Sequence, residues 1–459
     1  MNSSSKPSST KSESGSEYPP PTIISRDNHT VSRKNISPNA LKVLYRLKDA
    51  GYQAYLVGGG VRDALLGRTP KDFDITTDAS PEEVKKVFRN CRLIGRRFRL
   101  AHVYFGREII EVATFRANID TAEDQDGEDM VIEDGRIVRD NQYGTREEDA
   151  WRRDFTINAL YYNIADFTVL DFTDGMADLE AGLVRLIGDP EQRYREDPVR
   201  MLRAVRFAAK LDLTLHEETE QPINELSYLL EDISSSRLYD EVLKLFLSGH
   251  AQASFEQLNK YKLFNRLFSQ TTEHLDDPVT RHMLEIAMHN TDERISQGRP
   301  TIPAFLLAVF LWQPLQTLMR ALQEDEDMQP QESLFEAAHQ INQAQAEQVA
   351  IPRRVSMDMR EIWILQQRME NRSGKRALRV LTHPRFRAGY DFLLLRAEAD
   401  ETLREQADWW TRLYEAGEQE RQNIVGAPKR RRRRRKKSSD TGENQHGRTG
   451  PDPENEGAG

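Results

Sequence analysis

The sequence predicts an α+β protein: a head with a small mixed or antiparallel sheet and helices, followed by a region that is entirely helical. Three observations predict this class. Short apolar runs of strand length recur between residues 54 and 172, and beyond about residue 174 the apolar residues recur at helical spacing instead. Low-complexity stretches at both ends predict disorder. The predicted units are a disordered segment 1–30, the head 31–173, a helical neck 174–250, a helical body 251–424 and a disordered polybasic tail 425–459.

The elements of the head follow from cap and turn signals. Ser37 and Ser80 are suitable helix caps, and Pro38 and Pro81 follow them in the first turn, where proline is tolerated. Gly67 is a stop signal for a short helix. The predicted helices are 38–49, 61–66 and 81–88; the predicted strands are 54–57, 72–76, 100–105, 109–115 and 167–172; the acidic stretch 117–144 is predicted to be a mobile loop.

Beyond the head, strand signals fade and helical periodicity takes over. No internal repeat is visible in this part of the sequence. The helices predicted most clearly are 198–209, 223–230, 238–247, 283–288 and 334–350.

The composition predicts a soluble protein of a reducing compartment. Of 459 residues, 38% are hydrophobic and 30% are charged, which suits a packed core. The single cysteine, Cys91, excludes a disulfide framework and a cysteine-rich zinc site. The most apolar run, 304–312, is too short to span a bilayer, and the N-terminus lacks the apolar core of a signal peptide. We therefore expect a cytoplasmic protein without stable membrane insertion.

Charge is distributed unevenly along the chain. The net charge is −9, but the nine consecutive basic residues of 429–437 carry +9, so the remainder carries about −18. An acidic protein with a concentrated cationic tail suggests a tether for a polyanion. A solvated end without a specific partner is the alternative, and contact with anionic lipid is also compatible with the tail.

The strongest chemical signal is a glycine turn followed by two acids. Gly58 and Gly59 open a short helix, where backbone N–H groups can bind phosphate. Asp72 and Asp74 lie two residues apart, so on a strand they share one face. Adjacent carboxylates repel each other unless a cation such as Mg2+ lies between them, and Glu111 on a later strand can complete a cluster of three. The pattern predicts metal-assisted chemistry on a nucleotide triphosphate, with solvated surface acids as the alternative.

A second cluster combines two arginines with an acid at the end of the acidic stretch. Arg152 and Arg153 precede Asp154, and guanidinium groups match phosphate oxygens bidentately. The cluster therefore predicts contacts to triphosphate oxygens and ribose hydroxyls. The alternative is the start of a helix, with the arginines paired to the acids at 147–149.

A third cluster lies on the helix predicted over 198–209. Asp197, Arg200 and Arg203 occupy neighbouring positions within about a third of the helix circumference, and the apolar residues between them face the core. A carboxylate and guanidinium groups on one face can bind the hydrogen-bonding edge of a base. A surface ladder of ion pairs is the alternative.

These segments, in this order, closely resemble the class II nucleotidyltransferase superfamily, which comprises bacterial poly(A) polymerases and CCA-adding tRNA nucleotidyltransferases. The resemblance extends from about residue 32 to 396. It implies a nucleotidyltransferase head, a neck helix that binds the base, an RNA-binding body, two Mg2+ ions as cofactors and ATP as substrate. It implies that Gly58, Gly59 and Arg62 contact the triphosphate, that Asp72 and Asp74 bind the metals with Glu111 as third carboxylate, that Arg152, Arg153 and the catalytic Asp154 bind the nucleotide, and that Asp197, Arg200 and Arg203 face the base.

Three stretches favour the poly(A) branch of this superfamily. Residues 24–34, 93–103 and 383–391 are similar to stretches that mark bacterial poly(A) polymerases, and the second contains Arg96, Arg97 and Arg99. The tail fits as well, because cation density holds varied RNA 3′ ends without reading sequence. The arginines expected to bind RNA are Arg430, Arg431, Arg432, Arg433, Arg434 and Arg435. The expected activity is template-independent addition of AMP to RNA 3′ ends, in mRNA polyadenylation and RNA turnover, with RNA-decay proteins as further partners.

Two other functions stay open at this point. CCA addition to tRNA uses the same chemistry with a different product, and a non-catalytic RNA-binding protein would keep the fold but not the carboxylates, which are intact here. A P-loop kinase is disfavoured because no glycine-rich loop ends in Gly-Lys-Ser or Gly-Lys-Thr. An HD-type phosphohydrolase is disfavoured because no histidine is followed by aspartate.

Overall fold

The structure, a computed structural model, describes residues 18–95, 99–117, 130–133, 136–140 and 142–426. An eight-stranded sheet with flanking helices forms the N-terminal part. Within the described residues, the chain beyond 174 is helical except for two strands of two residues each. The predicted α+β class is therefore confirmed.

The head is built on a mixed sheet. The strands are β1 (Thr22–Ile24), β2 (Ala54–Val57), β3 (Asp74–Thr77), β4 (Cys91–Ile94), β5 (Leu100–Phe105), β6 (Glu108–Thr114), β7 (Met130–Glu133), β8 (Arg136–Asp140), β9 (Leu160–Asn163), β10 (Val169–Asp171), β11 (Leu183–Val184) and β12 (Thr214–Leu215). Eight of them form the head sheet in the order β1-β10-β9-β2-β3-β6-β5-β4. Strands β3 and β6 are parallel, and Asp74 is the register partner of Glu111. Register partners on parallel strands project to the same face, so these two acids lie side by side.

The helices of the head begin where the sequence predicts caps. The Ser37 hydroxyl accepts a hydrogen bond from the Asn39 N–H at 3.1 Å, and Ser80 forms a capping box with Glu83. Gly58 adopts φ +70°, a left-handed conformation that favours glycine, at the turn from β2 into the second helix. The helices are α1 (Pro38–Asp49), α2 (Gly59–Leu65), α3 (Pro81–Val87), α4 (Arg146–Trp151) and α5 (Gly175–Ala181), with 3-10 turns at Arg26–Asn28, Arg33–Asn35 and Thr156–Asn158.

Several sequence predictions for the head were wrong in detail. Strand β1 lies inside the segment 1–30 that was predicted to be disordered, and it pairs with β10. Strands β7 and β8 form an antiparallel hairpin inside the stretch predicted to be a loop. Asp72 precedes β3 rather than lying on it. Strands of three or four residues carry too little periodicity to be recognised, since their formation depends on a distant partner strand.

The neck and body are helical, as predicted, with shifted boundaries. The largest shift concerns 283–288, which is part of a helix of 19 residues. The helices are α6 (Pro190–Glu196), α7 (Val199–Leu211), α8 (Glu217–Glu220), α9 (Pro222–Leu226), α10 (Ser235–Phe246), α11 (Ala251–Lys260), α12 (Leu263–Leu267), α13 (Ser269–Thr272), α14 (Pro278–Ser296), α15 (Pro303–Phe310), α16 (Trp312–Asp325), α17 (Pro330–Gln348), α18 (Arg353–Glu370), α19 (Gly374–Leu381), α20 (Phe386–Ala399), α21 (Arg404–Glu415) and α22 (Glu418–Ile424), with 3-10 turns at Ser227–Asp232 and Glu401–Leu403.

One apolar core extends from the head sheet through the neck into the body. It includes Leu56 of β2, Val205 of α7 and Phe310 of α15, all buried. A second cluster packs around Trp410 of α21. Among the described residues no single helix is long and apolar enough to cross a bilayer; α15 and α16 meet that criterion only as a pair, bent by 53°.

Candidate active site

Two adjoining cavities, of about 300 and 540 Å³, open beside β3 and β6. Asp74 and Glu111 line both, Asp72 lines the larger, and Arg152 and Arg153 line the smaller. The structure therefore brings the three predicted carboxylates together, with Arg152 and Arg153 beside them.

The glycine turn borders the same site. A Cβ atom placed on Gly58 would lie 3.8 Å from Nη1 of Arg153 and 4.0 Å from Oδ2 of Asp74. A Cβ atom on Gly59 would lie 3.4 Å from Nη2 of Arg62. These are ordinary van der Waals distances, so the positive φ of Gly58 rather than lack of space favours glycine there, and the first turn of α2 lies beside a carboxylate and a guanidinium.

The carboxylates of the site repel one another. Desolvation in the cavity and the charge of Glu111 raise the pKa of Asp74 to about 6, with a further contribution from Asp72 and against the opposing charge of Arg153. Like-charge repulsion of this kind favours a bound cation. The acids thus form an oxygen donor set, in cavities that are also lined by lysine and arginine side chains.

This donor set fits Mg2+ that is shared with a substrate. Among the described residues, no group of three or more His, Cys, Asp or Glu side chains is arranged to hold a metal ion by itself. The predicted trio is therefore not a preassembled three-ligand site. Mg2+ is ordinarily bound by one or two carboxylates together with substrate phosphates, rather than by a cage of protein ligands alone. Asp72 and Asp74 meet that requirement.

His102 is a site residue that sequence reasoning missed. It lies on β5 directly opposite Glu111, and its Nε2 atom is 3.2 Å from Oε1 of Glu111. The contact restrains the orientation of Glu111 at the cavity. The stretch 93–103 was singled out for its similarity to bacterial poly(A) polymerases, and only the register of β5 against β6 places His102 beside Glu111.

Arg153 is fixed by a closed triangle of hydrogen bonds. Its Nε donates to the Tyr161 hydroxyl at 2.9 Å and its Nη2 to Oδ2 of Asp149 at 3.0 Å, while the hydroxyl donates to the same Asp149 oxygen at 2.7 Å. Burial alone would lower the pKa of Arg153, but Tyr161 and Asp149 raise it above its ordinary value. The guanidinium is thus permanently charged and held in one orientation beside Asp74.

A neck residue, Arg193, fixes the backbone at Arg152 and Arg153. Nη2 of Arg193, on α6, donates to the carbonyl oxygens of Arg152 and Arg153, at 2.8 Å each. Arg152 in turn donates to the Ala117 carbonyl at 3.1 Å. Burial and the neighbouring charge of Arg200 lower the pKa of Arg193 to about 10, which leaves it cationic at neutral pH. Sequence reasoning missed Arg193, because its role depends on the packing of α6 against the head.

Two predicted residues pair with each other. Nε of Arg203 donates to Oδ2 of Asp154 at 2.8 Å, and Nη2 of Arg203 donates to the same oxygen. Burial would raise the pKa of Asp154, but the charge of Arg203 and hydrogen bonds from Arg203, Asn158 and the Phe155 N–H lower it. Asp154 is therefore an ionised, fully engaged carboxylate that joins the head to α7, rather than a free acid or base.

Arg62 is also engaged within the protein. It is 2% exposed, and it donates to Oδ1 of Asp63 at 2.6 and 2.9 Å and to Oδ1 of Asn158 at 2.6 Å. Asn158 also donates to Asp154 at 3.3 Å. Arg62 and Asp154 thus belong to one network behind the glycine turn, with Asn158 as its centre.

The predicted base-binding residues lie together at the head–neck junction. Asp197 ends α6, accepts the Val199 N–H at 3.3 Å and is paired with Arg237 of α10 at 2.7 Å. Arg200 donates to Glu196 at 2.8 Å and to the Arg193 carbonyl at 2.7 Å. The predicted division of α7 into an apolar face and a polar face is confirmed, because Leu202 and Val205 are buried while the arginines are half-buried.

Some predicted residues cannot be placed. The six arginines of 430–435, together with Arg96 and Arg97, lie outside the described residues. Arg99 forms an exposed ion pair with Glu82 at 2.7 Å.

Comparison with known proteins matches three family models to this chain. Residues 54–185 match the poly A polymerase head domain, 212–275 a probable RNA and SrmB-binding site of polymerase A, and 326–440 the polymerase A arginine-rich C-terminus. The head match contains the site residues from Gly58 to Asp154.

Relatives match along most of the chain. Poly(A) polymerase I of Salmonella typhimurium (strain LT2) is 48% identical over 88% of each chain, that of Escherichia coli O157:H7 is 50% identical over 85% of each, and that of Haemophilus influenzae (strain Rd) is 44% identical over 89% of this chain and 91% of the relative. A CCA-adding enzyme of Lactobacillus helveticus is 41% identical over only 47% of this chain and 52% of its own.

Solved structures support the fold. The Thermotoga maritima CCA-adding enzyme complexed with tRNA has a TM-score of 0.55 at 22% identity, over 85% of this chain and 86% of the other. The relatives confirm the predicted superfamily, and coverage of 85–89% of this chain by the poly(A) polymerases, against 47% by the CCA-adding enzyme, distinguishes its two branches. The chain belongs to the poly(A) polymerase I family of nucleotidyltransferases.

Proposed function

We propose that this poly(A) polymerase adds AMP from ATP to the 3′ hydroxyl of RNA, with release of pyrophosphate, at the two cavities beside β3 and β6. One observation carries the proposal: three carboxylates and two arginines line adjoining cavities next to an open glycine turn. The acids are suited to a divalent cation and the arginines to phosphate oxygens.

Asp72 and Asp74 would hold two Mg2+ ions, with Glu111 as a third oxygen ligand. When bound, the ions supply activation of the 3′ hydroxyl and neutralisation of the leaving pyrophosphate. The raised pKa of Asp74 supports this assignment, since the charge that a cation would balance is already concentrated there.

The arginines would bind and orient the triphosphate. Arg153 is held by Asp149 and Tyr161, so it can receive phosphate oxygens without reorganising. Backbone N–H groups of the glycine turn at Gly58 and Gly59 would bind phosphate alongside it. Arg62 would act by positioning this turn, because its own donors are already occupied by Asp63 and Asn158.

The base would be recognised at the head–neck junction. Asp197 and Arg200 present a carboxylate and a guanidinium that Arg237 and Glu196 already orient. The Asp154–Arg203 pair would keep α7 in register with the catalytic head. Adenine selection would then follow from a rigid set of donors and acceptors rather than from side chains that rearrange.

The decisive experiment separates A-tailing from CCA addition. The purified protein is incubated with each labelled nucleotide in turn, on tRNA that lacks its terminal CCA and on an unrelated RNA with a free 3′ end. Incorporation of AMP alone, on both RNAs and only with Mg2+, is expected. Incorporation of CMP into the tRNA, or AMP transfer that is insensitive to chelation, would contradict the proposal.

RNA binding would also use the tail and would place the enzyme in mRNA polyadenylation and RNA turnover. The matches to a probable RNA and SrmB-binding site and to an arginine-rich C-terminus support RNA as a partner, and we propose RNA-decay proteins as further partners. Truncation after Val425 should weaken RNA binding about tenfold or more and flatten its salt dependence, because counterion release scales with phosphate contacts. ATP affinity should not change, and an unchanged salt slope would remove the tail from the RNA contacts.

A further inference from the structure

A cavity of about 300 Å³ lies in the helical body, away from the catalytic head. Its walls come from α14, α16 and α20 and from the turn after α20. The polar side chains that line it include Gln313, Gln316, Arg320, Arg396 and Asp400. Two of these are guanidinium groups and one is a carboxylate, so the lining is cationic overall.

Arg396 is a half-buried cation that forms no ion pair within the described part of the chain, although the charges of Glu370 and Asp400 act on it from a distance. Its Nη1 donates to Oε1 of Gln366 at 3.1 Å, and its guanidinium carbon lies 4.5 Å from the centre of the Trp312 ring. Its Nε atom is buried and has no hydrogen-bond partner, and among the described residues no carboxylate lies within ion-pair distance of the group. Burial lowers its pKa to about 10, so it stays charged at neutral pH.

The surroundings fix this guanidinium in place. Gln366 is 2% exposed, and its own amide donates to the Gly389 carbonyl at 2.9 Å, so its oxygen is held toward Arg396. Trp312 supports the guanidinium face through a cation–π contact. A buried charge held so rigidly, with unused donors at a cavity, is costly unless an anion binds there.

The rim of the cavity is suited to the same anion. Arg320 is exposed and its Nε contacts only the Gln316 carbonyl, at 3.4 Å, among the described residues. Gln313 and Gln316 add half-buried amides. Asp400 forms no ion pair with either arginine: its Oδ1 accepts both the N–H and the hydroxyl of Thr402, at 3.0 and 2.7 Å, and its charge acts on Arg396 only from a distance.

We propose that this cavity is a second anion site, in which Arg396 and Arg320 bind a phosphate group. The phosphate belongs either to the backbone of bound RNA or to free inorganic phosphate, since both offer the same oxygens to a guanidinium fork. The basic tail is not a suitable occupant, because its charge has the same sign. The site is separate from the carboxylates of the head, so its failure would leave the catalytic proposal untouched.

The test compares three single variants of the full-length protein: Arg396→Gln, Arg320→Gln and the control Arg354→Gln, an exposed arginine of α18 outside the cavity. Affinity for a 3′-blocked single-stranded RNA is measured at several salt concentrations, and inorganic phosphate is titrated calorimetrically into the RNA-free protein. Each site variant is expected to bind RNA about three- to tenfold more weakly and to lower the salt slope by about 0.7, the value for one phosphate contact on a single strand.

The two measurements together identify the source of the phosphate. Loss of RNA affinity and slope, with or without loss of phosphate binding, assigns the site to the RNA backbone; loss of phosphate binding alone assigns it to free phosphate. Site variants that match Arg354→Gln in both measurements would overturn the proposal. Arg320→Gln decides the matter if Arg396→Gln fails to fold, because Arg320 is exposed.

Discussion

The head and the body both place arginines at a cavity, but only the head pairs them with acids. Arg153 and Arg203 donate to the carboxylates of Asp149 and Asp154, whereas Arg396 donates to the neutral amide of Gln366. A paired guanidinium is held in one geometry and adds little net field, while an unpaired one leaves a positive potential. Under the two proposals, the head would align groups at a reacting phosphate, and the body would present charge to a polyanion of variable sequence.

The pKa values of the arginines also differ between the head and the body. Tyr161 and Asp149 raise the pKa of Arg153 despite its burial, whereas burial outweighs the charges of Glu370 and Asp400 and lowers the pKa of Arg396 to about 10. In the head, desolvation and the charge of Glu111 disfavour the negative charge of Asp74 and raise its pKa to about 6. Under the two proposals, a cation would bind beside Asp74 and an anion beside Arg396.

The largest expected effect comes from removing that negative charge. Asp74→Asn should lower the rate of AMP incorporation by about a thousandfold or more, because the loss of a metal-binding oxygen costs several kcal/mol of transition-state stabilisation. The measurement is single-turnover extension of an RNA primer at saturating ATP. Asp166→Asn, an exposed acid in the turn before β10, removes the same charge outside the site and should keep full activity. Activity of Asp74→Asn within tenfold of wild type would contradict the metal assignment.

The next effect is on stability, at the pair that joins the head to the neck. Arg203→Gln leaves the Asp154 carboxylate buried without its cation, and we expect the free energy of unfolding to fall by about 2–3 kcal/mol. Arg195→Gln is a matched control, since its pair with Glu191 is 51% and 60% exposed and should contribute below about 1 kcal/mol. Urea denaturation measures both. Equal losses in the two variants would show that the Asp154 pair is no stronger than a surface pair.

These arginine pairs also show where sequence reasoning succeeds and where it stops. The glycine turn and the location of Asp74 and Glu111 on strands were predictable, because turn chemistry and short apolar runs are local. The pairing of Asp154 with Arg203 was not, because it joins residues 49 positions apart across a head–neck contact. Arg193 was missed for the same reason, since its acceptors are backbone carbonyls 40 and 41 residues away.

The same distinction between local and long-range interactions applies to the helices and strands. Helix α1 and strands β2 and β5 begin and end where the sequence predicts, because caps, glycines and apolar runs bound them. Strand β1 has three residues, two of them exposed, so no burial pattern marks it, and only its pairing with β10 defines it. A sequence thus predicts elements whose stability is local and misses those that a partner creates.

A smaller effect is expected at His102, which contacts Glu111, the predicted third carboxylate, and would act through it. His102→Ala should lower kcat about tenfold, the usual cost of losing a group that orients a ligand, with little change in KM for ATP. His102→Gln keeps a donor and should recover part of kcat, which a purely structural role would not predict. His289→Ala, at an exposed position of α14, serves as the control. An unchanged kcat in His102→Ala would remove His102 from the site.

The smallest expected effect is a change in the Arg203→Gln stability loss with pH. The pKa of Asp154 is lowered in the folded protein, so its contribution is fully present above the unfolded value of about 3.9 and is lost as pH falls through the folded value. Without Arg203, burial raises the pKa of Asp154, so this carboxylate is protonated at a higher pH in the variant than in the wild type. Protonation removes the cost of the desolvated charge, and the variant then regains stability. The difference in Tm between wild type and Arg203→Gln should therefore shrink steadily from pH 7 toward pH 4.

The double variant Arg203→Gln with Asp154→Asn distinguishes the titration of Asp154 from an overall effect of low pH on stability. It has no carboxylate at position 154 to protonate. Its Tm should therefore be higher than that of Arg203→Gln at pH 7, and the two Tm values should converge in acid. Scanning calorimetry over this range measures all three proteins. If the difference between the two variants stayed constant with pH, another group would be responsible, and Asp154 would lose its assignment as the ionised carboxylate that holds α7 against the head.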